Sequence, residues 1–414
     1  MNPFSYRDGI LHAEEVPLPQ VAAAHGTPCY VYSRAALQSR FDEFRRVLAG
    51  RDALVCYAVK ANSNLAILSL FARAGAGFDI VSGGELARVL AAGGDPAKVV
   101  FSGVGKTADE MREALAAGIL CFNVESAAEL ERLNQIAGSL NRRAPVSLRV
   151  NPDVDPKTHP YIATGLKSAK FGIPFEEALP LYRRARALPH IDVHGIDCHI
   201  GSQLIDPAPA AEAAAKLLGL VDALGAEGIV LSHVDLGGGM GIRYRDEAAP
   251  TAAEYLAPLL AVLAGRRERL LFEPGRSLVG NAGVLLTRIE YLKHGGAKSF
   301  AVVDAAMNDL MRPALYDAWH DILPVTQTAG AGVEYEIVGP VCESGDFLGH
   351  ARRLAVAQGD LLAVMSAGAY GMAMSSNYNT RPRAAEVIVD GSQIHLVRER
   401  ERAGQLFAGE RVLP

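Results

Sequence analysis

Eight short apolar runs recur between residues 54 and 273 with helical patterns between them, and few architectures accommodate that alternation. The runs are Leu54 to Val59, Phe78 to Val81, Val99 to Ser102, Ile119 to Val124, Val146 to Val150, Val193 to Ile200, Val230 to Leu236 and Leu270 to Glu273. The first reads as a strand buried on both faces, as in a parallel sheet. Between the runs, Asn64 to Ala74, Gly84 to Ala92, Ala108 to Ala117 and Ala127 to Ala137 are rich in Ala, Leu, Glu and Arg with helical periodicity. Eight strand and helix units in succession predict an α/β fold, a (β/α)8 TIM-like barrel.

After about residue 280 the texture changes. Val284 to Leu292, Ser299 to Asp304, Tyr335 to Val341, Leu361 to Met365, Ala385 to Val389 and Ile394 to Val397 read as strands joined by turn signals. The apolar segment Pro28 to Ser33 precedes the barrel and is expected to add a strand to that β-rich region. The expected division is a barrel over 35–280 and a discontinuous β-rich domain from 1–34 and 281–414.

Bulk properties exclude several classes of function. The 414 residues are half hydrophobic, enough for a substantial core, and 46 acidic against 41 basic residues leave a formal charge of -5. With no basic excess, nucleic acid is not an expected partner. No apolar run is long enough to span a bilayer, and Met1 to Asp8 lacks the basic stretch and apolar core of a secretory signal, so the expected location is cytoplasmic. The five cysteines, Cys29, Cys56, Cys121, Cys198 and Cys342, are scattered and never paired as Cys-x-x-Cys. They read as reduced thiols, and no metal is expected.

In a barrel the strand ends share one rim, where active sites are built. Several of the runs end in chemically capable segments: Lys60-Ala-Asn, Ser82-Gly-Gly, Asn151-Pro-Asp, His199-Ile-Gly-Ser, Gly237-Gly-Gly and Glu273-Pro-Gly-Arg. Lys60 closes a buried strand with an ammonium. It can be a snorkelling surface charge, or a lysine placed to form a Schiff base. Asp235 to Gly241 and Glu273 to Ser277 bring bare amides and a guanidinium to adjacent strand ends, as a phosphate cradle requires. The glycines do not follow the dinucleotide spacing G-x-G-x-x-G. A lysine, an anion cradle and a carboxylate on one rim are what pyridoxal 5'-phosphate needs.

Tyr57-Ala-Val-Lys-Ala-Asn62, His199-Ile-Gly-Ser-Gln203, Gly237-Gly-Gly239, Glu273-Pro-Gly-Arg276 and Cys342-Glu-Ser-Gly-Asp346 together resemble the fold-type III pyridoxal-phosphate decarboxylases. The resemblance runs in order over nearly the whole chain. Thr158 to Lys167 and Met307 to Tyr316 are similar to the branch of that family that decarboxylates meso-2,6-diaminopimelate to L-lysine, the last step of lysine biosynthesis. Ornithine or carboxynorspermidine decarboxylation on the same fold is the alternative, and a non-catalytic homologue that binds the cofactor is a third reading.

The resemblance implies that Lys60 carries the cofactor, His199 stacks on its ring, and Glu273 faces the ring nitrogen. It implies that Ser202, Gly239, Gly275, Arg276 and Tyr370 surround the phosphate. Asp79 and Arg149 match positions near the cofactor, although each also suits a barrel-interior ion pair. Arg276, Arg312, Tyr316 and Tyr370 are implied for the substrate, with guanidinium forks suited to carboxylates and Glu343 to the distal ammonium. Cys342 would donate the proton that replaces carbon dioxide. In the family this last motif comes from the partner subunit, so a homodimer with shared active sites is implied.

Overall fold

The computed structural model describes residues 3–155 and 170–414. They pack as two compact units, one of Phe41–Ile242 with Ala248–Ser277, the other of Met1–Arg40, Arg243–Glu247 and Leu278–Pro414.

The first unit is a closed barrel of eight parallel strands. They are β1 (Ala53–Ala58), β2 (Gly77–Ile80), β3 (Val99–Phe101), β4 (Cys121–Val124), β5 (Ala144–Asn151), β6 (Ile191–Asp197), β7 (His233–Asp235) and β8 (Arg269–Phe272). Closure comes from β8 pairing with β1, Leu270 opposite Ala53 and Phe272 opposite Val55. Each of the eight apolar runs overlaps one of these strands. The seventh is much shorter than the run Val230 to Leu236 suggests, because Val230 is 81 % exposed and only His233–Asp235 joins the ladder.

Helices alternate with the strands, among them Leu65–Arg73, Gly83–Ala91, Ala108–Ala117 and Ala127–Ser139. Their starts are written locally. Asn64, Ser82, Thr107 and Ser126 each accept a backbone N–H of the first turn, and Thr107 with Glu110 forms a reciprocal capping box. Each such cap contributes about 1 kcal/mol. Leu54, Cys56, Val100, Cys121 and Leu271 fill part of the barrel interior as a buried apolar cluster. The strand ends beyond that cluster are polar, so the burial of charge is concentrated at one mouth of the barrel.

The second unit is β-rich. Its sheet runs in the order Phe347–Leu354, Val333–Val338, Ser299–Val303, Gly283–His294, Cys29–Ser33, Ala385–Asp390, Gln393–Arg398. The N-terminal strand is central to it: Cys29–Ser33 pairs antiparallel with Gly283–His294 on one side and parallel with Ala385–Asp390 on the other. Cys29, Val31, Val284, Leu286, Val387 and Val389 form the core there, joined by Phe4 and Leu11 from an N-terminal meander.

That meander (Phe4–Arg7, Ile10–Ala13, Val16–Pro17) and the strand Phe347–Leu354 carry no clear sequence signal. In the latter, Gly349, His350, Arg352 and Arg353 interrupt the apolar pattern, although Leu348, Arg352 and Leu354 are buried. The run predicted over Tyr335 to Val341 stops at Val338, before Gly339 and Pro340. Among the described residues no helix is long and apolar enough to cross a membrane.

Candidate active site

At the mouth of the barrel Lys60 lies in a single 3-10 turn, Val59–Ala61, directly after β1. Its Nζ is 2.5 Å from Asp79 Oδ2 on neighbouring β2. The lysine side chain is 36 % exposed and the aspartate fully buried, so the amine reaches the opening while its counter-ion is fixed in the barrel wall. Among the described residues Asp79 Oδ1 has no hydrogen-bond partner.

Behind that pair lies a carboxylate cluster. Asp197 and Asp235 end β6 and β7 and Glu273 directly follows β8; all are buried, and their oxygens lie within 4.8 Å of one another. Asn123 Nδ2 donates to Glu273 Oε1 at 3.4 Å and to Ser102 Oγ at 3.1 Å. Arg149 donates to Glu125 at 3.1 Å and holds its Nε 3.8 Å from Asp197. Glu125 in turn accepts the N–H groups of Gly103 and Gly172.

Carboxylates outnumber cations here, and the titration follows. Burial, then Asp235, Asp79 and Asp197, pushes the Glu273 carboxyl well above its usual range, with Lys60 opposing. Burial and then Asp235 do the same to Asp197, against the pull of Arg149. Burial raises Asp235 to about 7, although the Gly237 N–H partly stabilises its anion. A cation delivered to this cluster would restore its charges. Three carboxylates at this spacing suit a divalent metal by distance, but Lys60 and Arg149 border them and hard divalent ions favour a fuller set of oxygens. A single added positive charge fits the charge balance better.

The anion cradle lies on the neighbouring loops. Gly239 has φ +99, and a side chain at Gly238 would put Cβ 2.2 Å from the Glu273 carbonyl oxygen. The loop after β7 is stitched to the loop after β6: Leu204 N–H donates to Gly239 O and Gly241 N–H to Leu204 O, both at 2.8 Å. Arg276 Nε and Nη2 reach Ser202 Oγ at 3.2 and 3.1 Å. Gly275 faces Ala58, where a Cβ would come within 3.0 Å of the alanine methyl. His199 Nδ1 accepts the Gly238 N–H at 3.2 Å, so the ring is neutral with its proton on Nε2. Burial, Arg149 and Lys60 all hold its pKa well below the usual value. A buried guanidinium, a hydroxyl and amides without side chains are a fit for a phosphate monoester.

Lys60, Asp79, His199, Ser202, Gly239, Glu273, Gly275 and Arg276 therefore all belong to the carboxyl-terminal strand ends of the barrel unit. The remaining candidates belong to the β-rich unit. Arg312 opens a short helix, Arg312–Tyr316, and it is buried while Tyr316 is half-buried. Cys342 and Glu343 are exposed on a turn held by Asp346, which accepts the N–H groups of Met307 and Val341. Cys342 N–H donates to Asn379 Oδ1 at 2.8 Å. The other four cysteines are buried. Tyr370 has φ +56, a strained value for a tyrosine. The segment Thr158 to Lys167 lies outside the described residues.

Residues 34–280 match the family model described as "Pyridoxal-dependent decarboxylase, pyridoxal binding domain". A Pseudomonas aeruginosa diaminopimelate decarboxylase is 62 % identical over 414 residues, covering both chains completely. This chain belongs to the diaminopimelate decarboxylase family. Among solved structures, the Helicobacter pylori diaminopimelate decarboxylase complexed with L-lysine superposes with a TM-score of 0.92 at 41 % identity, covering 95 % of this chain and 99 % of that one. The M. jannaschii diaminopimelate decarboxylase in co-complex with L-lysine gives 0.94 at 38 %, covering 100 % and 98 %. As a member of the pyridoxal-dependent decarboxylases this chain uses pyridoxal phosphate.

Sequence reading missed three residues that shape this diaminopimelate decarboxylase-family site. Asp197 and Asp235 are the last residues of β6 and β7, and Asn123 lies in Cys121–Val124. The usable signal was the expense of burying a carboxylate: an acid closing a buried strand must be paired or must serve a charge.

Proposed function

We propose that this protein decarboxylates meso-2,6-diaminopimelate at its D centre, releasing carbon dioxide and L-lysine, with pyridoxal phosphate carried on Lys60. The observation that supports it most directly is the ammonium of Lys60 held on buried Asp79 beside a carboxylate cluster that is short of positive charge. Pyridoxal phosphate supplies, when bound, a sink for the electron pair that a departing carboxylate leaves behind.

Lys60 would hold the cofactor through its amine. Glu273 would supply the carboxylate that favours a protonated ring nitrogen in the cofactor, and Asp79 and neutral His199 would fix the surroundings of its ring. Arg276, Ser202, Gly239, Gly275 and Tyr370 bind the phosphate. Arg312, Tyr316, Arg276 and Tyr370 orient the substrate, the guanidinium groups engaging carboxylates, and Glu343 takes the distal ammonium. Cys342 Sγ delivers the proton that replaces carbon dioxide. The functional division is a barrel over 35–280 and a β-rich domain from 1–34 and 281–414, working in the cytoplasm, where the free thiols stay reduced.

Assaying lysine and carbon dioxide release over a panel of meso-diaminopimelate, ornithine and carboxynorspermidine tests the substrate. Turnover of ornithine with none of diaminopimelate would replace this reading with a decarboxylase of another basic amino acid.

The protein works as a homodimer in which Cys342 and Glu343, both exposed on their own chain, complete the partner's site. Mixing inactive Lys60→Ala with inactive Cys342→Ala chains is then expected to restore about a quarter of wild-type activity, since half of a random mixture is heterodimer and each heterodimer regains one site. Persistent inactivity of a verified heterodimer would show that each chain uses its own Cys342.

A further inference from the structure

The buried guanidinium of Arg312 is held by two residues to which no role has been assigned. Arg312 Nη1 lies 2.9 Å from His320 Nε2, and His320 Nδ1 lies 2.8 Å from the Met365 carbonyl oxygen. A carbonyl can only accept, so Nδ1 carries the hydrogen. A guanidinium can only donate, so Nε2 carries a lone pair. His320 is therefore the neutral Nδ1–H tautomer, and an imidazolium there would set a donor against a donor.

The second residue is Tyr244, whose ring lies under the guanidinium at 4.5 Å and meets the His320 ring edge-on at 5.2 Å between centroids. Both His320 and Tyr244 are buried. The support behind them is rigid. Met365 N–H donates to Asp321 O, Ile322–Pro324 pairs with Leu361–Val364, and Arg352 Nη2 donates to the His320 carbonyl at 2.9 Å. One edge of the guanidinium is thus hydrogen-bonded and one face stacked, which fixes the plane in which its other N–H groups point.

We infer that His320 and Tyr244 are positioning residues that aim Arg312 at the substrate carboxylate of the centre that does not react, and so set specificity for a distal amino acid end. The inference rests on the assignment of Arg312 to substrate binding. It explains why a histidine without exposure stands among arginines: a neutral imidazole donates to a carbonyl from one ring nitrogen while accepting from a guanidinium at the other, within a flat, buried space.

The test compares two substitutions that mimic different halves of the imidazole. His320→Asn can keep the bond to Met365 O but loses the acceptor for Arg312. His320→Gln can place an amide oxygen near the former Nε2. For the holoenzyme, His320→Asn is expected to raise KM for meso-diaminopimelate about tenfold or more, the loss of one charge-assisted hydrogen bond, with a much smaller change in kcat. His320→Gln should recover most of that KM. Tyr244→Leu should raise KM severalfold, and Tyr244→Phe should not.

The discriminating readout is inhibition by L-lysine, which keeps the distal carboxylate, against cadaverine, which lacks it. His320→Asn should weaken the first about tenfold and leave the second unchanged. If both weaken together, or neither does while Arg312→Ala weakens L-lysine alone, His320 is not a positioning residue and the inference fails. If Arg312→Ala itself leaves L-lysine inhibition unchanged, the assignment of Arg312 fails first.

Discussion

Lys60→Ala is expected to lower turnover of meso-diaminopimelate by on the order of a thousandfold or more, and to abolish fixation of the cofactor on the chain by borohydride. The variant should still fold. Lys60 lies on a turn whose flanking Val59 and Ala61 are fully buried, and Tyr57 Oη donates to Asn62 O at 2.8 Å, so the backbone is held from both sides. What changes is the environment of Asp79, a fully buried carboxylate that loses its cation. Breaking a fully buried pair costs about 3–5 kcal/mol, and because Lys60 reaches solvent the expected loss here is nearer 1–2 kcal/mol. Lys60→Arg separates the two effects. A guanidinium restores the charge facing Asp79 but offers no nucleophilic amine, so thermal stability should return while activity should not. Full activity in Lys60→Arg would remove Lys60 from the chemistry.

Much of this architecture was legible because barrel strands are buried on both sides, and burial writes itself as an unbroken apolar run. The same logic exposed Lys60 and Glu273, polar groups standing where such runs end. It failed where burial and polarity coincide within an element. Asp197 and Asp235 are fully or almost fully buried, yet each reads as one acid among apolar neighbours. The strand Phe347–Leu354 is hidden by its charges, although Arg352 is buried by stacking on Trp319. His320 was invisible for another reason. Its role depends on a carbonyl at Met365 and a guanidinium at Arg312, neither near enough in sequence to form a pattern. Motifs in order recover a site whose residues are spaced by the fold's own repeat; positioning groups are set by tertiary contact and leave no spacing to read.

Glu273→Gln sets function against stability in the carboxylate cluster. Glutamine keeps the size of the side chain and an oxygen for Asn123 Nδ2, but it cannot hold the charge that keeps a ring nitrogen protonated, so kcat should fall about a hundredfold or more. Stability of the cofactor-free protein should move the other way. The folded-state pKa of Glu273 lies well above its ordinary value because of burial and the neighbouring Asp235, Asp79 and Asp197. A group raised in this way stabilises the fold while protonated, and the contribution fades as pH climbs from the ordinary glutamate range through the folded value. Glutamine has no such titration. As pH rises above the ordinary glutamate range the cofactor-free Glu273→Gln protein should therefore lose less stability than wild type, read as the shift of Tm or of the urea midpoint with pH. Asp235, raised by burial to about 7 in the wild type, is still a titrating carboxyl in the variant, so the difference is one of slope and not the removal of all pH dependence. Parallel pH profiles for the two proteins would show that Glu273 is ionised in the folded state without the cofactor, and that the cluster holds its proton elsewhere. An activity within a few-fold of wild type would deny Glu273 its place at the ring nitrogen.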